Sequence, residues 1–167
     1  EAQSPFLSRA EWQANKIAPS HKPDDICYAG LDLSASRDLT ALVLVFPRGE
    51  SFDVVPHFWL PEDGLRDKSQ SEKVPYDLWA KQGFLHTIEG AVIQPEIIAR
   101  FVAEVAETYD LQLLAFDRWR INDFKRELDA IGADIPMISH GQGFKDMSPA
   151  IEKLERLVVD RKLNHGD

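Results

Sequence analysis

Two aspartates that accompany apolar, strand-like segments are the residues of this chain best suited to metal chemistry. Asp32 lies inside residues 28–34 (YAGLDLS), and Asp117 directly follows the apolar run at residues 111–116. A buried carboxylate is costly unless it is paired, hydrogen-bonded or bound to a cation. Two strands that each supply one aspartate therefore predict a divalent-cation site.

Each aspartate also has a simpler structural explanation. Asp32 fits a turn or N-cap carboxylate beside Ser34. Asp117 fits a salt bridge to Arg118 or Arg120, which follow it closely in the chain. The residues alone leave both explanations open.

Hydrophobic patterning predicts the elements that must position these two acids. Predicted strands cover residues 26–34, 39–46, 52–60, 111–116 and 135–139. The first three strands are joined by short connections, which indicates an antiparallel meander. Pro56 lacks a backbone donor, so the third strand is expected at a sheet edge or at a bulge.

Helical spacing of apolar residues alternates with the later strands. The sequence predicts helices that begin at Pro95, at an Asn122 cap and at Ser148-Pro149. Shorter helices are expected near residues 8–16, capped by Ser8, and from about residue 75 to 81. Polar residues 61–73 predict an exposed excursion, and residues 87–92 a short extended piece. This order predicts an α/β fold with a mixed sheet flanked by helices.

Length and composition indicate one soluble domain. The 167 residues carry a formal net charge of -9, and no apolar run approaches the roughly 18 residues that span a bilayer. Acidity of this size argues against a protein that coats nucleic acid nonspecifically, but bound cations reverse the local field around an acidic nuclease site. Cys27 is the single cysteine and fits a small apolar residue, so we expect the protein in a reducing cytoplasm. The short apolar runs predict no membrane span.

Several spaced motifs resemble the nuclease domain of the tailed-phage terminase large subunit, the DNA-packaging motor protein. They are GLDLS at 30–34 with DLTA at 38–41, AFDRW at 115–119, and GQGF at 141–144 followed by MSPA at 147–150. The resemblance covers most of residues 1–166. It implies a ribonuclease H-like mixed sheet over residues 26–167, preceded by an arm or linker at residues 1–25.

The resemblance also implies an activity. A domain of this family is a metal-dependent endonuclease that cuts concatemeric double-stranded DNA, and two cations serve the two ends of an in-line displacement. By resemblance Asp32 bridges two Mg²⁺ or Mn²⁺ ions, and Asp117 binds one of them. The implied partners are double-stranded DNA, an ATPase motor domain, the small terminase subunit and the capsid portal, in the host cell cytoplasm.

This chain departs from the family pattern at its third metal-binding acid. Family members continue past the segment at residues 161–166 into a strand and a helix that supply this acid, so we expect a C-terminally truncated domain with weak or absent activity. Asp38 and Asp146 are expected in loops, as helix caps or solvated residues. The ATPase phosphate loop does not occur in the sequence.

Basic residues close to the second acid are candidate phosphate contacts. Arg118 and Arg120 follow Asp117, and Lys145 is expected in the loop at residues 141–144. For each residue taken singly, a solvated charge on a helix face is the simpler explanation, and Arg118 is the strongest candidate because it adjoins Asp117. Trp119 is expected in packing rather than in base stacking, and His140 is a weak functional candidate.

Two other functions remain open on the sequence. The GLDLS segment also resembles the first phosphate motif of sugar kinases and actin-like ATPases, although their second lobe and adenosine motif are missing. The chain could instead be a noncatalytic module that docks DNA or the capsid portal. Metal-dependent cleavage without ATP separates these hypotheses from the nuclease hypothesis.

Overall fold

The computed structural model of this protein describes residues 6–34, 38–118 and 121–166. The strands are β1 (Ile26–Asp32), β2 (Thr40–Arg48), β3 (Ser51–Pro61), β4 (His86–Ile88), β5 (Asp110–Phe116), β6 (Met137–Ser139) and β7 (Leu163–Asn164). The helices are α1 (Arg9–Gln13), α2 (Leu65–Glu72), α3 (Tyr76–Gln82), α4 (Pro95–Thr108), α5 (Ile121–Ala130) and α6 (Phe144–Val159).

All seven strands belong to one mixed sheet. Its order is β4-β3-β2-β1-β5-β6, and β7 pairs with β3. The first three strands form the predicted antiparallel meander, and β5 pairs parallel with both β1 and β6. Pro56 lies opposite Val43, on a stretch of β3 whose outer edge has no partner among the described residues. The predicted edge position of Pro56 is therefore confirmed.

One face of the sheet carries the hydrophobic core. Along β1, Cys27, Ala29 and Leu31 are buried, whereas the residues between them are exposed. Helix α4 covers this face with an apolar stripe at three- and four-residue spacing, and α5 packs beside it. Burial raises the pKa of the Cys27 thiol to about 11, which fits its predicted role as a small apolar residue.

The opposite face of the sheet is more open. Ile26 and Tyr28 on β1 and Ile138 on β6 are all exposed there by 43 % or more. Asp32 follows the same alternation, so it belongs to this open face.

The polar excursion at residues 61–73 contains a helix that the composition did not predict. Helix α2 occupies residues 65–72, because charged side chains at four-residue spacing, such as Lys68 and Glu72, support a helix without an apolar stripe. The short extended piece predicted at residues 87–92 is β4, which covers residues 86–88. No helix in the described part of the chain is long and apolar enough to cross a membrane.

Two predicted helix starts were wrong. Helix α5 begins at Ile121, so Asn122 lies in its first turn rather than at its cap. Helix α6 begins at Phe144 and includes Pro149, whereas the sequence favoured a start at Ser148-Pro149. Proline is common in a first turn, but here one turn of helix precedes it.

The N-terminal arm packs onto the domain. Ser8 and Glu11 form the predicted reciprocal cap of α1. The following Asn15 is fully buried, and its amide nitrogen donates to the Val158 carbonyl at 2.9 Å. Its amide oxygen accepts the N–H of Leu163 at 3.2 Å. One side chain thus joins the arm to the end of α6 and to β7.

Candidate metal centre

Neighbouring parallel strands bring the two predicted acids together. The pairing of β1 with β5 ends at Leu31 and Phe116, which lie opposite each other. Asp32 and Asp117 are each the next residue along the chain. Because adjacent strands are about 4.8 Å apart, both carboxylates start from one short stretch of the sheet edge.

Strand alternation places both carboxylates on the same side of the sheet. Leu31 and Phe116 are buried, at 5 % and 6 % exposure, on the core face. The residues that follow them point the other way, toward the open face. Accordingly, Asp32 is exposed and Asp117 is half-buried.

The simpler explanations of the two acids find no support among the described residues. Ser34 directs its N–H to the hydroxyl of Thr40 and makes no bond to Asp32. Arg118 is exposed and forms no ion pair with Asp117, whereas Arg120 lies outside the described residues. Within the described chain neither carboxylate has a hydrogen-bond or ion-pair partner, so both are available as ligands.

A third strand ends at the same edge. Ser139 of β6 lies opposite Phe116, and the N–H of His140 donates to the Phe116 carbonyl at 2.8 Å. The chain then turns at Gly141, where an added Cβ would overlap the carboxylate of Asp146. Glycine at residue 141 therefore leaves room for the Asp146 carboxylate to lie against the backbone that follows β6.

The predicted loop acids occupy other environments. Asp146 lies in the first turn of α6 rather than in a loop, because this helix begins earlier than predicted. Asp38 is 74 % exposed and forms an ion pair with Lys68 at 3.4 Å. A hydrogen bond to Glu72, followed by that to Asp38, raises the pKa of Lys68, so its ammonium stays charged.

The predicted basic contacts are only partly described. Arg118 is exposed beside Asp117, and Lys145 is exposed in the first turn of α6, not in the preceding loop. Arg120 and Trp119 lie outside the described residues.

Two further basic residues, Lys125 and Arg126, lie on α5 after the second acid. The Lys125 ammonium lies 5.0 Å from the centre of the Phe116 ring, and Arg126 pairs with Asp123. Lys125 thus lies over a strand residue and Arg126 pairs within its own helix, so neither contact points to a phosphate site.

The donor set suits a hard divalent cation but is small. Mg²⁺ and Mn²⁺ prefer oxygen ligands, and two carboxylates at one sheet edge supply them. Among the described residues no group of three or more histidine, cysteine, aspartate or glutamate side chains could hold a metal ion. Asp32 and Asp117 therefore fit as a minimal pair of ligands.

Sequence reasoning missed the contacts that hold the hairpin after Asp32. The buried Thr40 hydroxyl bonds to Ser34, and Lys68 of α2 reaches Asp38 in the same hairpin. No spacing in the sequence connects residue 38 with residue 68, so only the folded chain shows this contact.

Comparison with known proteins identifies the family and its fold. The family model described as "Terminase large subunit, endonuclease domain" matches residues 1–167. The large terminase subunit of Enterobacteria phage HK97 is 42 % identical over 164 residues, which are 98 % of this chain and 32 % of that protein. The chain thus spans about one third of this relative.

Solved structures agree with this match. The crystal structure of the HK97 large terminase gives a TM-score of 0.88 at 42 % identity, over 98 % of this chain and 34 % of that one. The large terminase nuclease of thermophilic phage G20c with bound magnesium gives 0.58 at 14 % identity, over 100 % and 77 %. The predicted ribonuclease H-like mixed sheet is confirmed. The chain belongs to the family of terminase large subunit endonuclease domains.

Proposed function

We propose that this chain is a metal-dependent endonuclease domain that cuts concatemeric double-stranded DNA during viral genome packaging. The observation that carries the proposal is a pair of carboxylates, Asp32 and Asp117, at adjacent strand ends. Neither has a hydrogen-bond or ion-pair partner among the described residues. Family membership supports this hypothesis over the sugar-kinase or actin-like alternative. The bound magnesium of the G20c nuclease supports the choice of cation.

In the proposed reaction the protein supplies ligands and position. Asp32 would bridge two Mg²⁺ or Mn²⁺ ions, and Asp117 would hold one of them. Such ions supply an activated water and stabilise the leaving oxygen of the cleaved phosphodiester. Both acids lie at or next to the ends of paired strands, so the pairing fixes the separation of their backbones before DNA binds. The open face of the sheet gives a duplex access to them.

Basic side chains near the acids would position the DNA backbone. Arg118 adjoins Asp117, and Lys145 lies in the first turn of α6, the helix that follows β6 along the chain. Arg120 is proposed as a third contact from its place in the sequence alone. Such contacts set the orientation of a duplex without selecting its sequence.

The larger assembly is also part of the proposal. In the intact protein we expect an ATPase motor domain, and we expect contacts with the small terminase subunit and the capsid portal. We propose these partners from the family to which the chain belongs. The chain itself spans only about a third of the HK97 relative.

Cleavage of supercoiled plasmid in millimolar Mn²⁺, in Mg²⁺ or in EDTA tests the reaction. We expect nicking by the unchanged chain in Mn²⁺, none in EDTA, and at least a hundredfold loss in Asp32→Asn and Asp117→Asn. Asp129→Asn, an exposed aspartate near the end of α5, is the matched control and should retain the full rate. High Mn²⁺ is used because two ligands alone bind weakly.

Two results would contradict the proposal. Cleavage that persists in Asp32→Asn would remove this residue from the site. A folded, unchanged chain that neither binds Mn²⁺ nor cleaves DNA in its presence would favour the noncatalytic docking module instead. Anisotropy titrations with labelled duplex then test the phosphate contacts. Arg118→Ala should weaken binding and reduce the slope of log K against log salt concentration by about one. The exposed Lys16→Ala is the control and should change neither quantity.

A further inference from the structure

The hairpin that follows Asp32 is closed by a side chain. Backbone pairing between β1 and β2 ends at Asp32 and Ala41. Beyond that point the Ser34 N–H donates to the Thr40 hydroxyl at 3.0 Å, and this hydroxyl donates to the Ser34 hydroxyl at 2.9 Å. The Thr40 hydroxyl thus accepts one hydrogen bond and donates another, and it extends the contact between the two strands beyond their last backbone pair.

The Thr40 hydroxyl that makes these two hydrogen bonds belongs to a buried side chain. Thr40 is 1 % exposed and is the first residue of β2, opposite Trp59. A buried hydroxyl that loses its partners is destabilising, because water cannot replace them. The ion pair between Lys68 and Asp38 holds the same hairpin, but Asp38 is 74 % exposed and contributes less.

The closure acts very near the proposed metal ligand. Only Leu33, which packs against the core, separates Ser34 from Asp32. The Asp32 carboxylate has no partner of its own within the described chain, so its direction depends on the backbone that carries it. We propose that Thr40 is a positioning residue, whose hydroxyl fixes the end of β1 and thereby aims Asp32 at the cation.

This inference rests on the proposed function, so its test measures metal binding as well as structure. The variants are Thr40→Val, which removes the hydroxyl at nearly constant volume, and Thr40→Ser, which keeps it. Thr108→Val is the matched control, because its hydroxyl bonds only the Glu104 carbonyl at the end of α4. Three quantities are measured: Mn²⁺ affinity by electron paramagnetic resonance of free Mn²⁺, hydrogen exchange of the Ser34 amide, and the melting temperature.

Thr40→Val should bind Mn²⁺ ten- to a hundredfold more weakly, as is usual when a group that orients a ligand is removed. Its Ser34 amide should exchange faster by a similar factor. Thr40→Ser should restore both quantities to within about twofold, even where its melting temperature falls through loss of the methyl group. Thr108→Val should match the unchanged chain in Mn²⁺ affinity and Ser34 exchange.

The outcomes separate this inference from the proposed function. Asp32→Asn that binds Mn²⁺ like the unchanged chain, or an unchanged chain that does not bind Mn²⁺, would overturn both. Loss of binding in Asp32→Asn together with unaltered binding in Thr40→Val would overturn the positioning role alone. If Thr40→Val does not fold, Ser34→Ala decides, because it removes only the accepting hydroxyl. It should weaken Mn²⁺ binding by several fold, and unaltered affinity would overturn the inference.

Discussion

Arg48 forms a salt bridge with the buried Asp53, with 2.9 Å between Arg48 Nε and an Asp53 carboxylate oxygen. Asp53 is 1 % exposed and lies near the start of β3, at the end of the sheet opposite Asp32. Burial raises the pKa of this carboxyl, but hydrogen bonds from Asn164, Ser20 and Arg48 outweigh burial, so its pKa is lowered. This network therefore serves stability, whereas the opposite end of the sheet holds the candidate site.

Asp53→Ala should lower the free energy of unfolding by about 3 kcal/mol, because it leaves buried polar groups without their shared acceptor. Urea unfolding monitored by circular dichroism measures this. The exposed pair of Glu96 with Arg100 is the control, and Glu96→Ala should cost less than about 1 kcal/mol. Equal effects of the two substitutions would contradict a special role for Asp53.

Asn15→Ala should also destabilise the domain, by about 1–3 kcal/mol, since the Leu163 N–H and Val158 carbonyl lose a buried partner. Gln13→Ala, an exposed change in α1, should fall within about 0.5 kcal/mol of the unchanged chain. Hydrogen exchange at Leu163 gives a local readout. An unaltered rate there would show that Asn15 does not hold β7.

His57 should make the domain sensitive to mild acid. Burial, followed by the nearby His86 and His21, lowers the pKa of His57 from 6.5 to about 4. Between these values the unfolded chain binds a proton that the folded chain excludes, so stability falls as pH decreases from about 6.5 to about 4.

His57→Phe should flatten this part of the profile of unfolding free energy against pH, because no imidazole remains to be protonated on unfolding. A slope unchanged in His57→Phe would assign the acid sensitivity to other groups.

Pro149→Ala tests where α6 begins. With five residues of helix before it, Pro149 removes a backbone hydrogen bond, so alanine should stabilise the helix by about 1–3 kcal/mol. A helix that began at Ser148-Pro149 would gain nothing, because proline suits the first turn. Carbon chemical shifts of residues 144–148 and urea unfolding distinguish a start at Phe144 from a start at Ser148-Pro149. Ser148→Ala is the neighbouring control, because it leaves the proline in place.

The sequence by itself determined the architecture that carries the site. The strand at β1 and the apolar stripe of α4 were visible in the sequence, because an apolar run bounded by turn signals and a period of 3.6 follow from local geometry. The apolar runs placed Asp117 directly after a strand and Asp32 inside one predicted to reach residue 34, whereas β1 ends at Asp32. Helix boundaries were less certain, as α6 shows, because a proline can be tolerated one turn inside a helix with little buried surface.

Only the tertiary structure decided which residues share an environment. Asn15 meets Leu163 across 148 residues of chain, and Lys68 meets Asp38 across 30. Such contacts depend on how sheet and helices pack, and no local pattern encodes them. The register that brings Asp32 beside Asp117 also comes from strand pairing, because each strand alone specifies its faces but not its neighbour.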